Sequence, residues 1–281
     1  MRSFYFYLLL SIILVSCSSD ETPYSYLSRP DAVAETARLK LSVSADNSSF
    51  YYLIQAKEMY LIWGDGAKDS EYVLKNKVVI DSIKPTEYIY PKSGDYDVQI
   101  KTLGLIKLDL SKIDNAQIEK NKQNSISELT LTNCESITDL RFANQPIASI
   151  DLTRCTTLKT LYCGYPDGVQ SLTGLDKLEN LETIFINGSL GTASANFTAS
   201  DSLRSISIAN SGFTSLNIDG LAAVKTIVLK DNSQLSSDAL NILFTALPHA
   251  KNTEYTISLS GNKGDDECDK SIAVKKGWTF K

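Results

Sequence analysis

Apolar residues recur along the later part of the chain with a period that no single helix produces. Ile137-Thr-Asp-Leu140-Arg-Phe142, Leu158-Lys-Thr-Leu161-Tyr-Cys163, Leu181-Glu-Thr-Ile184-Phe-Ile186, Leu203-Arg-Ser-Ile206-Ser-Ile208 and Val224-Lys-Thr-Ile227-Val-Leu229 share one L-x-x-L-x-L spacing. Their starts lie 21, 23, 22 and 21 residues apart. Between them lies a second copy: Ile126 to Leu131, Ile147 to Leu152, Val169 to Leu172 and Phe213 to Ile218. Leu105 to Leu110 begins 21 residues before Ile126 and opens the array. An amphipathic helix repeats every 3.6 residues, so this period predicts a chain that turns through two apolar edges per repeat. Gly191–Ser202 lacks a clean half-repeat, with Phe197 its only large apolar residue.

After Leu229 the pattern changes. Ser236 or Ser237 caps a predicted helix whose face is Leu240, Leu243, Phe244 and Leu247, and Pro248 ends it. A strand over Tyr255–Leu259 and a short helix over Asp269–Lys276 follow, with Trp278 packing against the last coil. Such an ending covers an open edge and an exposed core.

The region 38–102 reads as strands. Leu39, Leu41 and Val43 alternate with Lys40, Ser42 and Ser44, the pattern of a half-buried strand. Further strand-like stretches cover 51–54, 59–63, 72–74, 78–80, 88–90 and 96–100, separated by Gly64-Asp65-Gly66, the 75–77 turn, Lys84-Pro85 and Ser93-Gly94-Asp95. This spacing predicts a small sandwich. The N-terminus carries a 12-residue apolar run, Phe4–Val15, broken only by Ser11. That is too short to span a membrane, which needs about 20 residues, and matches the core of a signal peptide.

Four resemblances sharpen these readings. Leu14-Val15-Ser16-Cys17 is similar to a bacterial lipoprotein signal, and Ser18-Ser19-Asp20-Glu21 resembles the surface-export signal of Bacteroidetes lipoproteins. The resemblance implies cleavage after residue 16, lipidation of Cys17, a tether over 17–37, and an outer-membrane, surface-exposed location held by acyl chains alone. Tyr60-Leu-Ile-Trp63-Gly64-Asp65-Gly66, Tyr88-Ile-Tyr90 and Gly94-Asp-Tyr96-Asp-Val98 resemble a PKD (polycystic kidney disease) domain. The repeats from 103 to 281 resemble short leucine-rich repeats of Bacteroidetes surface proteins. The implied fold is mainly β: a small β-sandwich, then an irregular leucine-rich-repeat solenoid with a helix–strand–helix C-terminal cap. The loop Asn usual in that family stands at Asn232, while its equivalents are Gln145, Pro166, Ser189 and Ser211.

Composition removes most chemistry. The 281 residues hold 28 Lys+Arg and 33 Asp+Glu, a net charge of −5. Neither part is basic: residues 1–102 carry 11 basic against 13 acidic groups and the rest 17 against 20, so nucleic acid is not an expected partner. The one His, His249, stands in a polar connection and is read as a surface residue. No P-loop, nucleophile elbow or metal-ligand spacing is present, and Asp65 with Asp69 is too small a set for a Ca²⁺ cage. The expectation is a monomeric, non-catalytic protein without cofactor or metal. Cys134 and Cys155 occupy equivalent half-repeat positions, where a disulfide is geometrically conceivable and reduced, buried thiols are the favoured reading.

If L-x-x-L-x-L is the sheet strand, residues between its last two apolar positions point outward. These are Arg141, Tyr162, Phe185, Ser207 and Val228, with Tyr165 nearby. Arg141, Tyr162, Tyr165 and Phe185 form the candidate surface for a protein or glycan ligand; stacking that merely stabilises the sheet is the competing role.

Overall fold

The computed structural model describes residues 33–46, 48–66, 72–75, 86–112, 125–164, 169–188 and 194–281. The expected signal peptide, Cys17, most of the tether, Asp69, the 78–80 strand, Tyr165, Pro166 and Ser189 lie outside these residues.

The chain is mainly β, arranged in several sheets. One sheet has five strands. In it β1 (Glu35–Val43) lies between β6 (Gly94–Leu103) and β8 (Ser125–Thr132), and β3 (Glu58–Ile62) joins β6 to β4 (Tyr72–Lys75). Every pairing in it is antiparallel. The alternation read in β1 sets its faces: Ala37, Leu39, Leu41 and Val43 are buried, while Arg38, Lys40 and Ser42 are exposed. Leu39 faces Val98 on one side and Leu129 on the other.

The second large sheet has ten strands. It begins at β5 (Thr86–Ile89) and β2 (Ser49–Gln55), which pair antiparallel, and β2 pairs antiparallel with β7 (Lys107–Asp109). From β7 onward all pairs are parallel: β9 (Asp139–Ala143), β11 (Thr160–Gly164), β13 (Thr183–Asn187), β15 (Ser205–Ala209), β17 (Thr226–Lys230), β18 (Thr256–Ser260) and β19 (Thr279–Phe280). The strands align as the repeat predicts, since Leu140, Leu161, Ile184, Ile206 and Ile227 are in register and all buried. The half-repeats form shorter parallel pairs. β10 (Ser149–Asp151) pairs with β12 (Ser171–Thr173), and β14 (Ser194–Asn196) with β16 (Ser215–Asn217). The stretch without a clean half-repeat therefore has one, with Ala195 buried opposite Leu216 where other copies place Ile or Leu.

Two details depart from expectation. The Ile126–Leu131 segment, expected to be a half-repeat of the array, is β8 and runs antiparallel to β1. Its Ile126 and Leu129 pair with Leu41 and Leu39, so an existing apolar face captures it. Consequently β7 and β8, which follow residue 102, complete sheets begun by earlier strands, and one apolar core continues through both regions. Glu35 reinforces this junction. Its carboxylate accepts from the Leu105 amide at 2.6 Å and from the Ser136 hydroxyl. The strand β1 begins at Glu35, inside the stretch read as a tether over 17–37.

At the far end α1 (Ser237–Ala246) is capped by Ser236, whose hydroxyl accepts from the Ala239 amide at 3.3 Å. A shorter α2 (Ser271–Lys275) follows β18. Trp278 is buried, donates from Nε1 to the Pro248 carbonyl at 2.8 Å, and meets Tyr255 edge to face.

Candidate interaction face

The strands β9, β11, β13, β15 and β17 bury their second and fourth residues, which leaves the first and third on the outer face. Third positions run Asp109, Arg141, Tyr162, Phe185, Ser207, Val228 and Ser258 in register across β7 to β18. First positions run Lys107, Asp139, Thr160, Thr183, Ser205, Thr226 and Thr256.

Arg141, Tyr162 and Phe185 are thus brought together as the spacing implied. The Tyr162 and Phe185 rings stack with centroids 4.1 Å apart and planes 7° from parallel. Both rings are half-buried rather than fully exposed, because each covers a face of the other. The Arg141 guanidinium lies 6.0 Å from the Tyr162 centroid, on its side of the stack. Asp139 fixes it by two bonds, Nε to Oδ1 at 2.7 Å and Nη2 to Oδ2 at 3.1 Å. That pairing raises the guanidinium further above its ordinary range, and Lys107 completes the triad 3.4 Å from Asp139.

Beside the rings, at the C-terminal ends of the strands, is a cleft of about 380 Å³. Its walls include Asp109, Lys112, Arg141, Asn144, Tyr162, Phe185 and Asn187. Its floor depends on two local features. Asn144 takes a left-handed φ of 60° immediately after β9. Gly164, with φ 133°, ends β11 so close to β13 that a Cβ there would sit 1.9 Å from the Asn187 carbonyl oxygen. The Ser111 hydroxyl accepts from the Ala143 amide at 3.0 Å and Asp109 accepts from the Ser111 amide at 3.1 Å, which ties β7 to β9. Burial lowers the Lys112 ammonium, which donates to the Ser125 hydroxyl at 3.0 Å.

Asp109, Lys112, Asn144 and Asn187 were not among the residues read from sequence. Asp109 was reachable, because it occupies the outward slot of Leu105-Ile-Lys-Leu108-Asp-Leu110. The other three lie at strand ends, where the repeat carries no signal. Tyr165 and Cys17 lie outside the described residues.

The polar positions beyond the strand ends tie neighbouring segments to one another. Gln145 is buried, accepts from the Ile126 amide at 2.9 Å and donates to the Leu110 carbonyl at 2.7 Å. Asn232 and Asn262 bond in series, Asn232 Nδ2 to Asn262 Oδ1 at 2.7 Å. Asn262 therefore extends the row assigned in sequence to Asn232. The 30 residues separating it from Asn232, with α1 inserted, hid it from a 21-residue period.

Other candidate groups fall elsewhere. His249 is exposed after α1. The Asp65 carboxylate accepts from the Tyr88 hydroxyl at 2.5 Å, and that tyrosine stacks on Trp63 at 4.1 Å. Asp265 accepts from the Asn262 amide and side chain at 2.8 and 2.9 Å. Cys134, Cys155 and Cys163 are free and buried, and burial pushes each thiol up to about 12. Among the described residues no three His, Cys, Asp or Glu side chains converge to hold a metal, and no helix is long and apolar enough to cross a membrane. No known protein family, curated protein or solved structure matches the chain.

Proposed function

We propose that this chain is a leucine-rich-repeat surface lipoprotein of the outer membrane that binds its ligand without transforming it. In this reading Cys17 carries the lipid, the PKD-like strands form a sandwich spacer, and the repeats present an adhesion face as a monomer. The in-register parallel strands at a 21–23-residue period support the repeat assignment. The α1–β18–α2 ending supports the assignment of a cap.

The observation that carries the function is the Tyr162–Phe185 stack beside the cleft. It joins an apolar ring pair to convergent polar groups, the composition of a recognition surface. Protein partners and glycans both fit such a surface, and the side-chain amides of Asn144 and Asn187 beside the rings suit the hydroxyls of a glycan. The test is capture on arrays of glycans and proteins by the chain and by a Tyr162→Ala, Phe185→Ala double variant. Capture disappears in the variant while its circular dichroism is unchanged; retained capture refutes the reading. Incorporation of labelled fatty acid, lost in Cys17→Ser, tests the anchor separately.

A further inference from the structure

Among the described residues the outward hydroxyls beside the aromatic row make no hydrogen bond within the fold. Thr160, Thr183, Ser205 and Thr226 carry them and follow one another in register. Strand spacing puts neighbouring hydroxyls about 4.8 Å apart, so Thr160 to Thr226 spans about 14 Å.

A second observation lies one position along the same strands. Tyr162 covers one face of Phe185. On the other side the in-register neighbour is Ser207, with Val228 one strand further. Two strand steps, about 9.6 Å, separate Phe185 from Val228. Ser207 is too short to fill that interval, which leaves a slot one ring thick against the open face of Phe185.

Charge selects the occupant. The two outward rows over β11 to β17 carry no charged side chain, and nearby charges are already paired, Arg141 with Asp139 and Lys159 with Glu182 at 3.2 Å. A charged ligand seated here would lose water and gain no counter-ion. An uncharged polyhydroxylated ligand meets groups that both donate and accept.

We propose that this face binds a neutral glycan. One pyranose ring occupies the slot above Ser207 with its C–H face on Phe185, and its hydroxyls exchange hydrogen bonds with Thr183, Ser205 and Thr226. The site rests on the reading of the sheet face as the binding surface and narrows it to one ligand class.

The test applies the full-length chain, in detergent, to immobilised xylan, mannan and β-glucan, with polygalacturonate as the anionic counterpart. At least one neutral polysaccharide retains the chain, and added salt does not release it, because no ion pair is screened. Ser207→Phe and Ser207→Leu each fill the slot with a different side chain and weaken retention at least about tenfold. Thermal melts confirm that the variants fold, and two distinct fillers keep one folding defect from deciding the outcome. Neutral-glycan retention indifferent to both fillers overturns the site. Retention by polygalacturonate alone, or by no polysaccharide, overturns it as well. A protein ligand lost in the Tyr162→Ala, Phe185→Ala variant but indifferent to the Ser207 fillers overturns the glycan assignment and leaves the binding face standing.

Discussion

Replacing Asn232 by Ala tests whether side-chain amides, and not backbone ladders alone, hold the last parallel strands together. Asn232 is 1% exposed. Its Oδ1 accepts from the Ser211 amide at 3.0 Å and from the Ser211 hydroxyl at 2.7 Å. Its Nδ2 donates to the Ile208 carbonyl at 3.1 Å and to Asn262 Oδ1 at 2.7 Å. Alanine removes all four bonds. The Ser211 hydroxyl can rotate, and Asn262 Oδ1 still receives the backbone amide of residue 232 at 3.1 Å. The Ser211 N–H loses its partner away from water, while the Ile208 carbonyl keeps its place in the β15–β17 ladder. At about 1–3 kcal/mol for a stranded group, the loss is about 2 kcal/mol, a sizeable part of the 5–15 kcal/mol typical of a domain. That corresponds to a fall in Tm of about 4–8 °C for a chain of this size. Circular dichroism melts measure the shift, and hydrogen exchange locates it. Amides of β15, β17 and β18 exchange faster while those of β1 and β6 do not. A shift below about 3 °C, or faster exchange spread evenly over both sheets, refutes the ladder argument.

Four further outcomes follow from the packing. Gly164→Ala places a Cβ 1.9 Å from the Asn187 carbonyl at a φ of 133°, so β11 and β13 must part; denaturant titration records a loss of about 3 kcal/mol or more. Cys134, Cys155 and Cys163, each pushed up to about 12, stay unmodified by a maleimide at pH 8 in the native chain and react on unfolding. Because their folded values lie above the unfolded value near 8.5, the folded state holds more protons at alkaline pH. Stability is therefore constant below about pH 8.5 and falls above it, by up to about 1.4 kcal/mol per pH unit for each thiol; native labelling of any of these three thiols at pH 8, located by peptide mass mapping, or stability flat to pH 10 contradicts the burial. Trp278→Phe keeps the ring packing on Tyr255 but strands the Pro248 carbonyl, costing about 1–3 kcal/mol, and urea titration that detects no change removes the bond from the account.

Much of this architecture was legible because parallel strands translate sequence period directly into register. Leu140, Leu161, Ile184, Ile206 and Ile227 could be aligned by spacing, and the same alignment placed Arg141, Tyr162 and Phe185 side by side. What escaped depended on partners distant in the chain. Ile126-Ser-Glu-Leu129-Thr-Leu131 fits the repeat, yet it also alternates well enough to pair with β1, and the apolar face already built by Leu39 and Leu41 decides between them. Asn262 was hidden by an inserted helix that broke the period without breaking the stack. The slot above Ser207 belongs to a third kind. Its residues are all visible in the sequence, but a serine between a phenylalanine and a valine has no meaning until the strands are laid edge to edge. Only then does one face of Phe185 emerge as spent on Tyr162 and the other as open, which is the asymmetry a ligand ring needs.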